Sequence, residues 1–146
     1  MAESRTVVGV LLAAGAGSRM GGPKALVGPL AGEESPVSQV AGWIHAGGCG
    51  EVVVGIGARA DDVRASLPLE SWLSIVEATD WSHGMGASFR AGLAYATAGN
   101  ASAALVTLVD LPDMRTAVFE RLLAAGEPSD SVLARRYTKA CPDTPF

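Results

Sequence analysis

Four short apolar runs without polar alternation constrain this chain more than any other feature of its sequence. The first is Val7-Val8-Gly9-Val10-Leu11-Leu12, and the others are Val52 to Ile56, Ser74 to Ala78 and Ala104 to Val109. A strand with one wet face alternates, whereas a strand covered on both faces does not, so these runs read as strands of a parallel sheet. Helical patterns separate them. Val37, Val40, Ala41 and Ile44 repeat at the spacing of one helix face, and Gly47-Gly48 ends that helix. A short helix follows from Ala60 to Leu67, stopped before Pro68, and a longer one opens at Gly84-Met85-Gly86 with Phe89, Leu93 and Ala96 as its core face. Val118 with Leu122 and Phe119 with Leu123 mark a further helix, and Ser131-Val132-Leu133-Ala134 begins a fifth strand. Alternation of this kind predicts an α/β domain of three layers around a mainly parallel sheet. Ligands of such sheets sit beyond the carboxyl ends of the strands, which directs attention to segments 13–24, 57–60, 79–88 and 110–115.

The 146 residues predict a single domain, 1–146, and 49% hydrophobic residues are enough for a packed core. A net charge of -4, with no run of Lys or Arg, argues against nucleic acid or an anionic membrane surface as partner. No apolar stretch approaches the roughly 20 residues of a membrane span. Cys49 and Cys141 form no metal-ligand or redox spacing, as expected of free thiols in a reducing, cytoplasmic setting.

The first loop carries the strongest chemical signal: Leu12-Ala13-Ala14-Gly15-Ala16-Gly17-Ser18-Arg19-Met20-Gly21-Gly22-Pro23-Lys24. It follows the first strand directly. Glycines at 15 and 17 allow a sharp turn and close backbone approach to a ligand, and consecutive amides in such a loop form a concavity for phosphate oxygens. Arg19 and Lys24 add the charge that amides lack. A P-loop would need Gly-Lys-Ser/Thr opening a helix, but Lys24 follows a proline and precedes Ala25. A dinucleotide fingerprint would need a third glycine where Met20 stands, and Gly21-Gly22-Pro23 would break the helix it requires. A plain glycine-rich turn stays open on composition alone.

The full string resembles the signature of nucleotidyltransferases with a Rossmann-like, glycosyltransferase-A-type fold, Leu-Ala-Ala-Gly-x-Gly-x-Arg-Met-Gly followed by a lysine. Within them it is most similar to the molybdenum-cofactor cytidylyl- and guanylyltransferases, the MobA-like group. The resemblance implies that the loop wraps an NTP triphosphate, with Leu12, Ala13, Ala14, Gly15, Gly17 and Ser18 in contact with the nucleotide. It gives Arg19 and Lys24 to the phosphates, and to catalysis. Asp110, in Val109-Asp110-Leu111-Pro112-Asp113, matches the family's Asp-x-Pro at the end of a strand and is expected to hold Mg²⁺. Asp113 suits a helix cap better. Gly84-Met85-Gly86-Ala87-Ser88 is similar to a family segment at the start of a helix, which assigns Gly86 and Ser88 to the nucleotide; on its own chemistry Ser88 is equally an N-cap. Gly92 is expected to let that helix lie close to the sheet, His83 to face solvent, and Trp81 either to line the mouth of the site or to cover the sheet end.

The implied reaction transfers a nucleoside monophosphate from CTP or GTP to a phosphate-bearing acceptor, with molybdopterin or its molybdate form the acceptor of the resembled group. Relatives with the same loop act on sugar phosphates and alcohol phosphates. The match runs from about residue 7 to the strand near 134, after which the family's Gly-His-Pro stretch and second metal carboxylate have no counterpart. The expectation is therefore a C-terminally short form of the fold, without the acceptor-binding part. Two other classes remain as alternatives, a nucleotide-binding module without chemistry and a dinucleotide-dependent oxidoreductase. Exposed sheet edges would favour a homo-oligomer.

Overall fold

The computed structural model describes residues 6–14, 34–99, 101–109 and 114–125. Their elements run β1 (Val7–Leu12), α1 (Pro36–Ala46), β2 (Glu51–Ile56), α2 (Ala60–Ala65), β3 (Leu73–Glu77), α3 (Met85–Ala98), β4 (Ala103–Leu108) and α4 (Thr116–Ala125). The four strands form one sheet in the order β3-β2-β1-β4, and every pairing is parallel. All four apolar runs became strands, with boundaries within one residue of those read from the sequence. The fifth, at 131–134, lies outside the described residues.

Burial explains why alternation was absent. Five of the six β1 residues are buried, and the same holds for β2, because helices cover both faces; β3 and β4, expected to be covered likewise, are mostly half-buried or exposed, since they lie at the two edges of the described sheet. On one face Leu11, Ala13, Val52, Val54 and Ile56 pack with Val37, Val40, Ala41 and Ile44 of α1, Val63 of α2 and Phe119 of α4. On the other, Val8, Val10, Leu12 and Val53 meet Ala96 of α3. Each fully buried Val, Leu, Ile or Phe of this core contributes about 1.5–3 kcal/mol of transfer free energy.

Local chemistry sets the helix ends. Ser35 caps α1, its Oγ accepting from the Ser38 amide at 3.3 Å, and Pro36 at the first helical position has no amide to leave unsatisfied. α3 begins after Gly84, so Ser88 is not its N-cap but lies inside the first turn, 2% exposed. That excludes the N-cap role for Ser88. The expected core face of α3 also needs correction. Phe89 is 40% exposed and Leu93 only half-buried, while Ser88, Gly92 and Ala96 face the sheet. At Gly92 an added Cβ would stand 2.4 Å from Val10 Cγ1, so the absence of a side chain sets how near the helix lies. α2 ends at Ala65, two residues short of the expected Leu67.

The chain steps outward from β1 to β2 to β3, then α3 carries it back across the sheet to β4 on the other side of β1. α1, α2 and α4 therefore share one face, and α3 lies on the opposite one. β1 and β4 thus stand side by side with their carboxyl ends on one edge of the sheet, the edge at which ligands of parallel sheets bind.

Candidate nucleotide-binding site

The carboxyl edge of the sheet is built from the tails of its four strands. Leu12 stands in register with Leu108, and the Val109 amide donates to Leu12 O at 3.4 Å. The Ala13 amide donates to Gly55 O at 2.9 Å, the Ala58 amide to Ala14 O at 3.1 Å, and the Ala78 amide to Ile56 O at 2.8 Å. These bonds extend each parallel ladder past its strand and hold the tails side by side. Leu12, Ala13 and Ala14 are all buried, 7%, 3% and 6% exposed. Side chains at these three positions are thus committed to the core, which leaves their backbone to aim the loop that follows.

Gly15, Gly17, Ser18, Arg19 and Lys24 lie outside the described residues, and so does Asp110. What the structure fixes is where the flanking chain emerges. β1 and β4 are adjacent and parallel, so the described chain ends at Ala14 and at Val109 on the same edge of the sheet. Among the described residues no group of three or more His, Cys, Asp or Glu could hold a metal ion.

The β2 and β3 side of the edge is described in full. Trp81, in a short 3-10 turn over Trp81–His83, lies directly on Gly57. An added Cβ there would meet the tryptophan Cβ at 2.5 Å and its Cγ at 2.6 Å. Trp81 thus covers the end of β2, one of its two expected placements. His83 is exposed, as expected. α3 starts just beyond this turn. Gly86 is exposed in its first turn, while Ser88 is seated against Gly55, where an added Cβ would lie 3.6 Å from Ser88 O. The first amides of a helix lack intrahelical partners and favour anionic or polar ligand groups. Asp80 and Arg90, 3.7 Å apart, bind the turn to α3 at the surface, where such pairs add little.

One residue at this edge escaped the sequence reading. Segment 57–60 was marked by its position, yet nothing distinguished Arg59. In the structure it is the non-glycine residue with a positive φ among those described, at φ 50° and ψ 46°. An L-residue held there costs about 1 kcal/mol. Its Nε donates to Asp62 Oδ2 at 2.8 Å, and an Nη reaches the same oxygen at 2.8 Å, with side chains 59% and 56% exposed. No rule of composition or spacing marks an arginine in the left-handed region, so only the backbone reveals it. A separate groove of about 370 Å³, lined by Leu93, Ala96, Thr97, Ala101, Ala103 and Ala104, carries no ionisable side chain. No described helix is long and apolar enough to cross a membrane.

Comparison with known proteins agrees with this architecture. A family model described as the MobA-like NTP transferase domain matches residues 9–143. A protein of Paenarthrobacter nicotinovorans named nicotine blue oxidoreductase is 46% identical over 123 residues, covering 84% of this chain and 58% of its own length. The crystal structure of Rv0371c from Mycobacterium tuberculosis H37Rv superposes with a TM-score of 0.70 at 27% identity, over 86% of this chain and 62% of that one. A nucleotidyl transferase from Methanothermobacter thermautotroptrophicus gives a TM-score of 0.70 at 25% identity, over 84% and 58%. The Rv0371c protein has also been solved in complex with manganese, at a TM-score of 0.61 and 25% identity over 84% and 60%. The chain thus spans about three fifths of the length of these relatives.

Proposed function

We propose nucleotidyl transfer as the function, from the premise that this chain belongs to the MobA-like NTP transferase family. The observation that supports the reading is the parallel pairing of β1 with β4: the segment bearing Arg19 and Lys24 and the segment bearing Asp110 follow in sequence two neighbouring strands that end at the same edge. Here an oxygen of an acceptor phosphate attacks the α-phosphorus of CTP or GTP. The bond from that phosphorus to the bridging oxygen of the β-phosphate breaks, and pyrophosphate departs with the electron pair. No covalent enzyme intermediate is required, so the protein's contribution is positioning and charge stabilisation.

Amides of residues 13–18 cradle the phosphates, Lys24 offsets charge developing at the α-phosphate, and Arg19 serves the β- and γ-phosphates. Asp110 would hold a divalent cation, Mg²⁺ in this reading, which would supply charge screening to the triphosphate and the leaving pyrophosphate. The manganese complex of a structural relative supports a divalent cation in this fold. Gly86 faces the nucleoside from the exposed first turn of α3, while Ser88, 2% exposed and seated against Gly55, packs beneath that turn instead of contacting the ligand. The acceptor of the resembled group, molybdopterin or molybdenum cofactor, is the leading candidate, with sugar phosphates and alcohol phosphates as the alternative class.

The test is pyrophosphate release from an NTP panel with Mg²⁺ and molybdopterin. Lys24→Ala and Asp110→Ala are each expected to lower turnover by on the order of 10²–10³. Near-normal release by either variant would show its role to be misassigned. A second reading is favoured by the 46% identical relative, whose name is that of an oxidoreductase. Oxidation of a nicotinamide dinucleotide without pyrophosphate release from any NTP would establish it. NTP binding with neither activity would point to a nucleotide-binding module.

A further inference from the structure

We propose that Arg59 reads the nucleobase, selecting bases that present two adjacent hydrogen-bond acceptors on one edge. This deepens the nucleotidyl-transfer reading and rests on it. The first observation is position. If the phosphates occupy the β1–β4 seam, the nucleoside lies toward β2, the side on which Trp81 and the opening of α3 wall the carboxyl edge. Arg59 follows β2 by three residues, beside Ala14, to which Ala58 is hydrogen-bonded at 3.1 Å. Adjacent strands are about 4.8 Å apart, which sets this side of the edge roughly 10 Å from the tail of β4.

The second observation is backbone strain. Arg59 adopts φ 50° where glycine would be free of cost, and such conformations persist where a side chain must be presented in one direction. The third is the state of the guanidinium. Nε and one Nη both engage a single Asp62 oxygen at 2.8 Å, which orients the fork by its side-on edge. Five N–H donors in a rigid plane then leave the end-on edge, with two parallel donors, without a partner among the described residues. Its ready-made complement is a pair of neighbouring acceptors. Guanine offers O6 and N7. Cytosine offers O2 and N3. Adenine places a donor beside N7, and uracil places N3–H between its two carbonyls, so neither matches. CTP and GTP are thereby separated from ATP and UTP by one side chain. Arg59 touches no reacting atom in this scheme; it selects and orients the substrate.

The experiment is equilibrium titration of the 146-residue chain with CTP, GTP, ATP and UTP, for the unaltered protein, Arg59→Gly and Arg59→Lys. Glycine suits the left-handed backbone, so loss of fold is not the confounder, and a thermal unfolding midpoint at or above that of the parent checks it. The parent is expected to bind CTP or GTP about tenfold or more tightly than ATP and UTP, the scale of one bidentate guanidinium–base contact. Both variants are expected to lose that ratio, with lysine restoring overall affinity but not selectivity. A parent that binds all four alike, a glycine variant that keeps the ratio, or a lysine variant that restores it would each overturn the assignment. Failure to bind any of the four would instead overturn the nucleotide site itself, and the base-reading role with it.

Discussion

Gly92→Ala should destabilise the protein alone yet stabilise it once Val10 has been shortened. The new Cβ would stand 2.4 Å from Val10 Cγ1, where ordinary contact begins near 3.4 Å, so about 1 Å must be found. Val10 of β1 is fully buried beneath α3, so it has no free volume to enter. Overpacking on this scale costs typically 1–3 kcal/mol. Against it, alanine is favoured over glycine in a helix interior by about 1 kcal/mol. The net expectation is a loss of about 1 kcal/mol, well within reach of urea denaturation. Val10→Ala removes the offending methyl and leaves Val10 Cβ at 3.7 Å, an ordinary contact. That substitution costs about 2 kcal/mol on its own through the cavity it creates. In its background, however, Gly92→Ala should add about 1 kcal/mol of stability, giving a coupling of about 2 kcal/mol across the cycle. If Gly92→Ala stabilises the parent, or has the same sign in both backgrounds, the close seating of α3 on β1 is not what that glycine provides.

Two further outcomes follow from buried groups. Thr107 is 6% exposed and its Oγ1 has no hydrogen-bond partner among the described residues, so the near-isosteric Thr107→Val should raise stability by about 1 kcal/mol in urea denaturation; a loss of that size would reveal a partner for the hydroxyl. Burial raises the Cys49 thiol from 9.0 to about 11. Its folded pKa lies above the unfolded one, so this contribution to stability is complete below pH 9 and is lost as pH rises from 9 through 11. Alkylation at pH 8, mapped by peptide, should spare Cys49 in the native protein and modify it in urea; rapid native labelling would contradict the burial.

How much the sequence disclosed depends on how local each cause is. The β1 run could be read because a doubly covered strand needs only apolar side chains, and the α1 face because 37, 40, 41 and 44 repeat at helical spacing. Gly92 was also legible, since a glycine inside a helical pattern has few other uses. Phe89 misled because large apolar residues dominate a periodicity argument, whereas α3 turns its small residues, Ser88, Gly92 and Ala96, to the sheet. That choice follows from the distance between layers, which no short window contains. The cluster in which Tyr95 Oη donates to Glu51 Oε1 at 2.7 Å, with Ser74 Oγ donating to the same oxygen at 3.0 Å, joins positions far apart in the chain and left no trace in spacing. Of the candidate site, the glycine loop, Arg19, Lys24 and Asp110 were marked by motif, and the structure contributes the adjacency of the strands that carry them. Arg59 needed the backbone.

The reversal of strand order has an implication for how such a molecule changes. The residues that anchor β1 and β4 to the helices lie in one or other buried layer, and both strands end at the same edge. Substitutions beyond position 14 and beyond position 109 would leave those buried contacts in place, so the two ends can vary while the packing beneath is kept.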